Sequence, residues 1–119
     1  MDLKYFKLSE FDSPDEAGSG AKMCTKFLLY LDKIRADYGK PLRVNSGYRT
    51  AEHNALVGGR VGSSHCKGMA VDFHCNNSAD RTLLLAAIYK AGIVRVGIAK
   101  TFIHIDIDNN KPAACWLYN

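Results

Sequence analysis

Two short segments constrain this chain more than any other feature. In Met69–Cys75, MAVDFHC, and in Phe102–Asp108, FIHIDID, apolar and ionisable residues alternate with period two. That is the period of a strand whose successive side chains point to opposite faces. Met69, Val71, Phe73 and Cys75 share one face of the first strand, and Ala70, Asp72 and His74 the other. Ile103, Ile105 and Ile107 share one face of the second, and Phe102, His104, Asp106 and Asp108 the other. Each segment needs a core against its apolar face. Where the two strands lie close together, their carboxylates and imidazoles form one cluster on the opposite face. His65, on the loop feeding the first strand, can fold over it.

The rest of the chain supplies the elements to cover such a sheet. Residues 1–19 read as a polar lead-in rich in turn formers. From Gly20 to Tyr38 the apolar residues Met23, Phe27, Tyr30, Leu31, Ile34 and Tyr38 recur at helical spacing, and Gly39 followed by Pro41 ends that helix. LRVNSGYR reads as a short strand entering a turn, and TAEHNALVGG as a brief helix closed by two glycines. Cap-type residues between Asn76 and Asp80 open a second long helix that ends at Gly92. IVRVGIA is a further strand, and the tail KPAACWLYN either adds an edge strand or packs over the sheet. These runs predict one α+β domain over residues 1–119, a small and mostly antiparallel sheet backed by helices.

With 119 residues the chain is long enough for a real core and too short for two domains. No apolar run is long enough for a membrane span, and the N-terminus lacks the basic-then-apolar pattern of a signal peptide. The expectation is synthesis in the cytoplasm without a membrane anchor. The net charge of +4 comes from Lys and Arg spread along the chain, which gives little footing for nucleic acid but suits an anionic polymer such as a cell wall. Cys24, Cys66, Cys75 and Cys115 form no CxxC. They are expected as reduced, buried structural thiols rather than a zinc knuckle, a disulfide framework or a redox pair.

Two imidazoles and one carboxylate are a common catalytic zinc set with a position left for water. Alternation by itself equally describes a solvated strand face whose polar residues do no chemistry.

Three segments together go further. SGYRTAEHNALVGG, SSHCKGMAVD and FIHID resemble the successive signature segments of the zinc D-Ala-D-Ala carboxypeptidase family, peptidase family M15, and in particular its short single-domain bacterial and phage branch. The resemblance covers nearly the whole chain, and implies the hedgehog/DD-peptidase fold. It places zinc ligands at His65, Asp72 and His104, a substrate contact at Ser63, and an oxyanion-stabilising or carboxylate-binding role at Arg49. The base is where this sequence departs from better-studied members. Their acidic residue three positions before the last histidine ligand is Thr101 here, and the histidine that others place two positions before it is Phe102. Asp106 is the nearest carboxylate on the correct face and is expected as the catalytic base, with orientation of His104 as its second reading. Asp108 and Glu52 are weaker candidates, His74 is expected behind the ligands or on the pocket wall, and His53 is expected to lock the helix after Arg49. Trp116 and Tyr118 are expected as core or rim aromatics.

The function implied is a zinc (Zn2+) metallopeptidase cleaving amide bonds in the peptide stems of peptidoglycan, as a D-Ala-D-Ala carboxypeptidase or an endolysin-type endopeptidase. It would act as a monomer on the cell wall, after holin-type release if of phage origin. The alternative is a non-catalytic, zinc-stabilised module that binds cell wall or protein, because this fold can keep its metal without catalysis.

Overall fold

The computed structural model describes residues 2–118. Five strands form one sheet in the order β1-β2-β4-β3-β5: β1 Val44–Ser46, β2 Ala70–His74, β3 Arg95–Ile98, β4 Phe102–Asp106 and β5 Ala114–Leu117. The first three pairings across the sheet are antiparallel, and β5 runs parallel to β3 at the edge. The sheet is therefore mixed. The tail adds an edge strand, and the connection from β4 carries it over to the far side of β3.

Helices α1 Thr25–Tyr38 and α3 Ser78–Lys90 pack together. Phe27, Leu31 and Ile34 of α1 and Leu84 and Ile88 of α3 meet Val71, Phe73, Val96, Ile103 and Ile105 of the strands in one core. Each such side chain contributes about 1.5–3 kcal/mol by leaving water. The apolar faces expected for β2 and β4 are the faces that meet this core. Their ionisable faces therefore look away from the helices.

The first helix begins later than its periodicity suggests. Ser19–Lys22 is a 3-10 turn, and Met23 is extended with ψ 140. Gly20 lies so close to the preceding turn that a Cβ there would fall 2.0 Å from the Leu8 carbonyl oxygen, so this segment is committed to packing on the lead-in. The lead-in is more than a polar approach. Its 3-10 turn Leu8–Phe11 sends Phe11, with Phe6, into the core, and Asp12 accepts hydrogen bonds from the Gly18 and Gly20 amides at 3.0 and 2.7 Å. Gly39 ends α1 in the left-handed region at φ 77, and the Asn77 side chain caps α3.

No described helix is long and apolar enough to cross a membrane. All four cysteines are free thiols. Only Cys75 is buried, Cys24 and Cys66 are half-buried and Cys115 on the edge strand is exposed, so the expectation of four buried thiols holds for Cys75 alone.

Candidate metal centre

The centre is built on one row that crosses the sheet. Ser46 pairs with Asp72, Asp72 with His104, His104 with Gly97, and Gly97 with Trp116. A register irregularity between Val44 and Ser46 lets two residues of β1 advance against one of β2, and such bulges re-aim the chain that follows. The chain then continues through Gly47 to Arg49, and α2 (Ala51–Leu56) follows with Thr50 as its cap. His65 arrives from the 3-10 turn Ser64–Lys67, and its own amide donates to the capping Ser63 hydroxyl at 3.2 Å.

His65, Asp72 and His104 are all buried, and one ligand atom from each lies within 4.8 Å of the others. His65 Nε2 is 3.4 Å and His104 Nδ1 2.9 Å from the same Asp72 oxygen. The outward nitrogen of each ring is occupied. His65 Nδ1 meets the Gly47 carbonyl oxygen at 2.8 Å, and His104 Nε2 meets Asp106 Oδ2 at 2.7 Å. A carbonyl can only accept, so His65 carries its proton on Nδ1 and keeps Nε2 free as a lone-pair donor. Asp106 acts the same way on His104, leaving Nδ1 toward Asp72. Two imidazole nitrogens and a carboxylate oxygen, each oriented from behind, fit a divalent metal of the zinc type.

Electrostatics follow from this crowding. Burial would raise the Asp72 carboxyl, but hydrogen bonds from His104 and His65 outweigh it and hold the group well below the usual carboxylate range. Burial would lower His104, but its bonds to Asp106 and Asp72 raise it. Burial would raise Asp106, but His104 and the Arg95 guanidinium lower it.

Asp106 is 2 % exposed, and both its oxygens are engaged. Oδ1 accepts from Arg95 Nε at 2.7 Å and from the Asp108 amide at 3.2 Å, while Oδ2 faces His104. Arg95 in turn donates to the Pro112 carbonyl at 2.6 Å and lies over the Trp116 ring, 5.1 Å from its centre. Arg95 has no place in the sequence reading. Its signal was present, since alternation in IVRVGIA puts Arg95 and Gly97 on one face and Val94, Val96 and Ile98 on the other.

Arg49 reaches the cluster from the opposite side. Its Nε donates to the Ser46 hydroxyl at 3.0 Å, Nη1 to Asn54 Oδ1 at 3.4 Å and Nη2 to Asp72 Oδ2 at 3.5 Å. Ser63, besides capping the His65 turn, lines the cleft above the cluster. That cleft is about 930 Å³, bounded on one side by the glycine-rich loop 57–62 and on the other by β5 and Tyr118.

The other residues singled out in the sequence lie elsewhere. Asp108 is buried, but it accepts from Ser64, Lys67 and Lys111 rather than facing the cleft, tying the His65 turn to the end of β4. Glu52 is exposed on α2, and His53 follows it with its amide bonded to Thr50. His74 pairs with Phe102 at the end of β2, and the cleft is lined by Phe102 but not by His74, against the expectation of a pocket-wall residue.

The family model for peptidase M15 matches residues 4–106. The chain belongs to the peptidase M15 family. The matched span holds every residue of the metal cluster, together with Arg49, Ser63, Arg95 and Asp106. β5 and the aromatic residues it brings to this M15 cleft lie beyond it. No curated protein matches the chain.

Proposed function

We propose that this M15 chain is a zinc-dependent peptidase that hydrolyses an amide bond in the peptide stem of peptidoglycan. One observation carries the reading: three donors converge in a cleft with the outward nitrogen of each imidazole already held, so the metal-facing nitrogens are fixed before any metal binds. A divalent metal held there lowers the pKa of water toward neutrality and polarises a carbonyl. The chain's own residues do the rest. Arg49, fixed by Ser46 and Asn54, presents its guanidinium beside Asp72, where it can bind a carbonyl oxygen as negative charge develops or the carboxylate of a stem. Asp106 holds the Nε2 proton of His104 and is itself held by Arg95, so we assign it the orienting role rather than that of base. Arg60 and Lys111, also on the cleft wall, favour an anionic substrate.

The cleft also gives the non-catalytic reading a specific footing. Among the described residues lining it, the carboxylates are Asp72 and Asp106 and the imidazoles His65 and His104, and each is already engaged. A zinc-stabilised binding module would need no further base. Purified muropeptides incubated with the metal-loaded chain and analysed by mass separate the two readings. The peptidase gives a product pair heavier by one water in total, abolished by chelator and by His65→Ala. Full zinc occupancy with no product would favour the binding module.

A further inference from the structure

Three consecutive amides bring the chain past the metal cluster, and two of them are held from the lead-in. The Tyr48 amide donates to the Phe11 carbonyl at 2.9 Å, the Arg49 amide to the His65 carbonyl at 3.2 Å, and the Thr50 amide to the Ser13 hydroxyl at 3.2 Å. Just before them, a Cβ on Gly47 would fall 2.7 Å from Phe11 Cα, so this arm lies directly on the lead-in backbone. The arm carries the Gly47 carbonyl that fixes His65, and it carries Arg49.

The hydroxyls that hold the far end of the arm must point the right way. Ser13 and Thr50 are 1 % and 6 % exposed, and one carboxylate turns both. Ser13 Oγ donates to Asp15 Oδ1 at 2.5 Å, and Thr50 Oγ1 donates to Asp15 Oδ2 at 2.6 Å. With its proton committed to Asp15, each hydroxyl oxygen is left to accept, Ser13 from the Thr50 amide and Thr50 from the His53 amide. The bonds from Ser13 and Thr50 lower the Asp15 carboxyl from its ordinary value, so it is ionised at neutral pH and only accepts.

We propose that Asp15 is a positioning residue for Arg49, acting from outside the cleft through the Ser13 and Thr50 hydroxyls. The proposal rests on the peptidase reading above for the part Arg49 plays in hydrolysis. Two routes lead from Asp15 to the guanidinium. Thr50 directly follows Arg49, and its amide is fixed through Ser13. Thr50 also caps α2, which carries Asn54, the partner of Arg49 Nη1. A helix of six residues is too short to hold its shape unaided, so the cap decides where Asn54 stands. The metal ligands are held independently. Gly47 is fixed by Phe11, so the carbonyl behind His65 keeps its place when Asp15 is lost. A general loosening of the fold would weaken metal binding and hydrolysis together, whereas loss of Asp15 separates them.

Asp15 is exposed, so Asp15→Ala and Asp15→Asn leave the core untouched. Alanine removes both acceptors, and asparagine keeps the size with one acceptor oxygen in place of two. With muropeptides at saturating zinc, Asp15→Ala should lower kcat roughly ten- to a hundredfold, the scale of a small misplacement in a site. Asp15→Asn should fall between it and wild type, with zinc affinity unchanged in both. In an Arg49→Ala background the alanine substitution should cost less than about threefold, because residues that act through one another do not add. The Arg49 Nε–H signal in 1H–15N spectra reads the guanidinium without substrate, and should shift in Asp15→Ala. Equal losses in both backgrounds, zinc affinity falling with kcat, or an unmoved Arg49 signal would overturn the assignment. A shifted Arg49 signal in a chain that hydrolyses no muropeptide would support the positioning and remove the peptidase reading. Hydrolysis as fast in Asp15→Ala as in wild type would keep the peptidase reading and remove Asp15 from it.

Discussion

Asp106→Asn asks whether the carboxylate behind His104 sets the metal affinity or takes part in proton transfer. The two oxygens of Asp106 both accept: one from Arg95 and the Asp108 amide, the other from His104 Nε2. Asparagine keeps the size but turns one of those acceptors into a donor. Placed toward Arg95, its NH2 would oppose the guanidinium N–H and the Asp108 amide together. It therefore faces His104, where it donates to Nε2 and drives the ring proton to Nδ1, the nitrogen turned to Asp72. Metal must then displace that proton against the hydrogen bond. Loss of such an orienting partner typically weakens metal binding by ~10–100-fold, or about 1.4–2.7 kcal/mol. Competition against a chromophoric chelator measures it directly, and long-range 1H–15N correlation of the metal-free protein reads the tautomer. The expected result is weakened zinc binding, an Nδ1–H tautomer in His104, and hydrolysis recovered at saturating zinc. Wild-type zinc affinity together with complete inactivity at saturating zinc would refute the orienting role and return Asp106 to the part of general base.

Two further outcomes follow from neighbouring contacts. Arg49→Lys keeps the charge but cannot span Ser46, Asn54 and Asp72 at once, so zinc should stay bound while kcat falls by roughly 10²–10³, the usual loss for one oxyanion donor; unchanged kcat would make Arg49 structural. Asp108 has a carboxyl that burial would raise but that Lys67 and Ser64 hold well below the usual range. A group depressed in the fold contributes stability above its unfolded pKa of about 3.9, and loses it as pH falls through the folded value. Urea titrations of the metal-free protein should therefore show wild type losing more stability than Asp108→Asn on acidification below about pH 4; parallel losses would place Asp108 outside the acid transition.

The legible part of this molecule is the part that depends on one strand at a time. Alternation in MAVDFHC and FIHIDID assigns Val71, Phe73, Ile103 and Ile105 to the core and Asp72, His104 and Asp106 to the opposite face, and each occupies that face. Gly39 likewise ends α1 where a left-handed residue was expected. The start of α1 was not legible, because Gly20 answers to a contact with Leu8 rather than to helix propensity. The same limit explains Asp106. From its own strand it is simply a carboxylate two residues beyond His104, which the sequence reads first as a base and second as an orienter. What its own strand does not show is Arg95, which reaches it from β3, and the Asp108 amide, which donates to the same oxygen. Arg95 is in turn covered by Trp116 from β5, a strand in parallel register that no local pattern announces. Face is a property of one strand, and chemistry here is a property of the row. Ser46, Asp72, His104, Gly97 and Trp116 come from five separate segments, so the site's acceptors, its metal-facing nitrogens and its aromatic wall become definite only when pairing fixes which strand stands beside which.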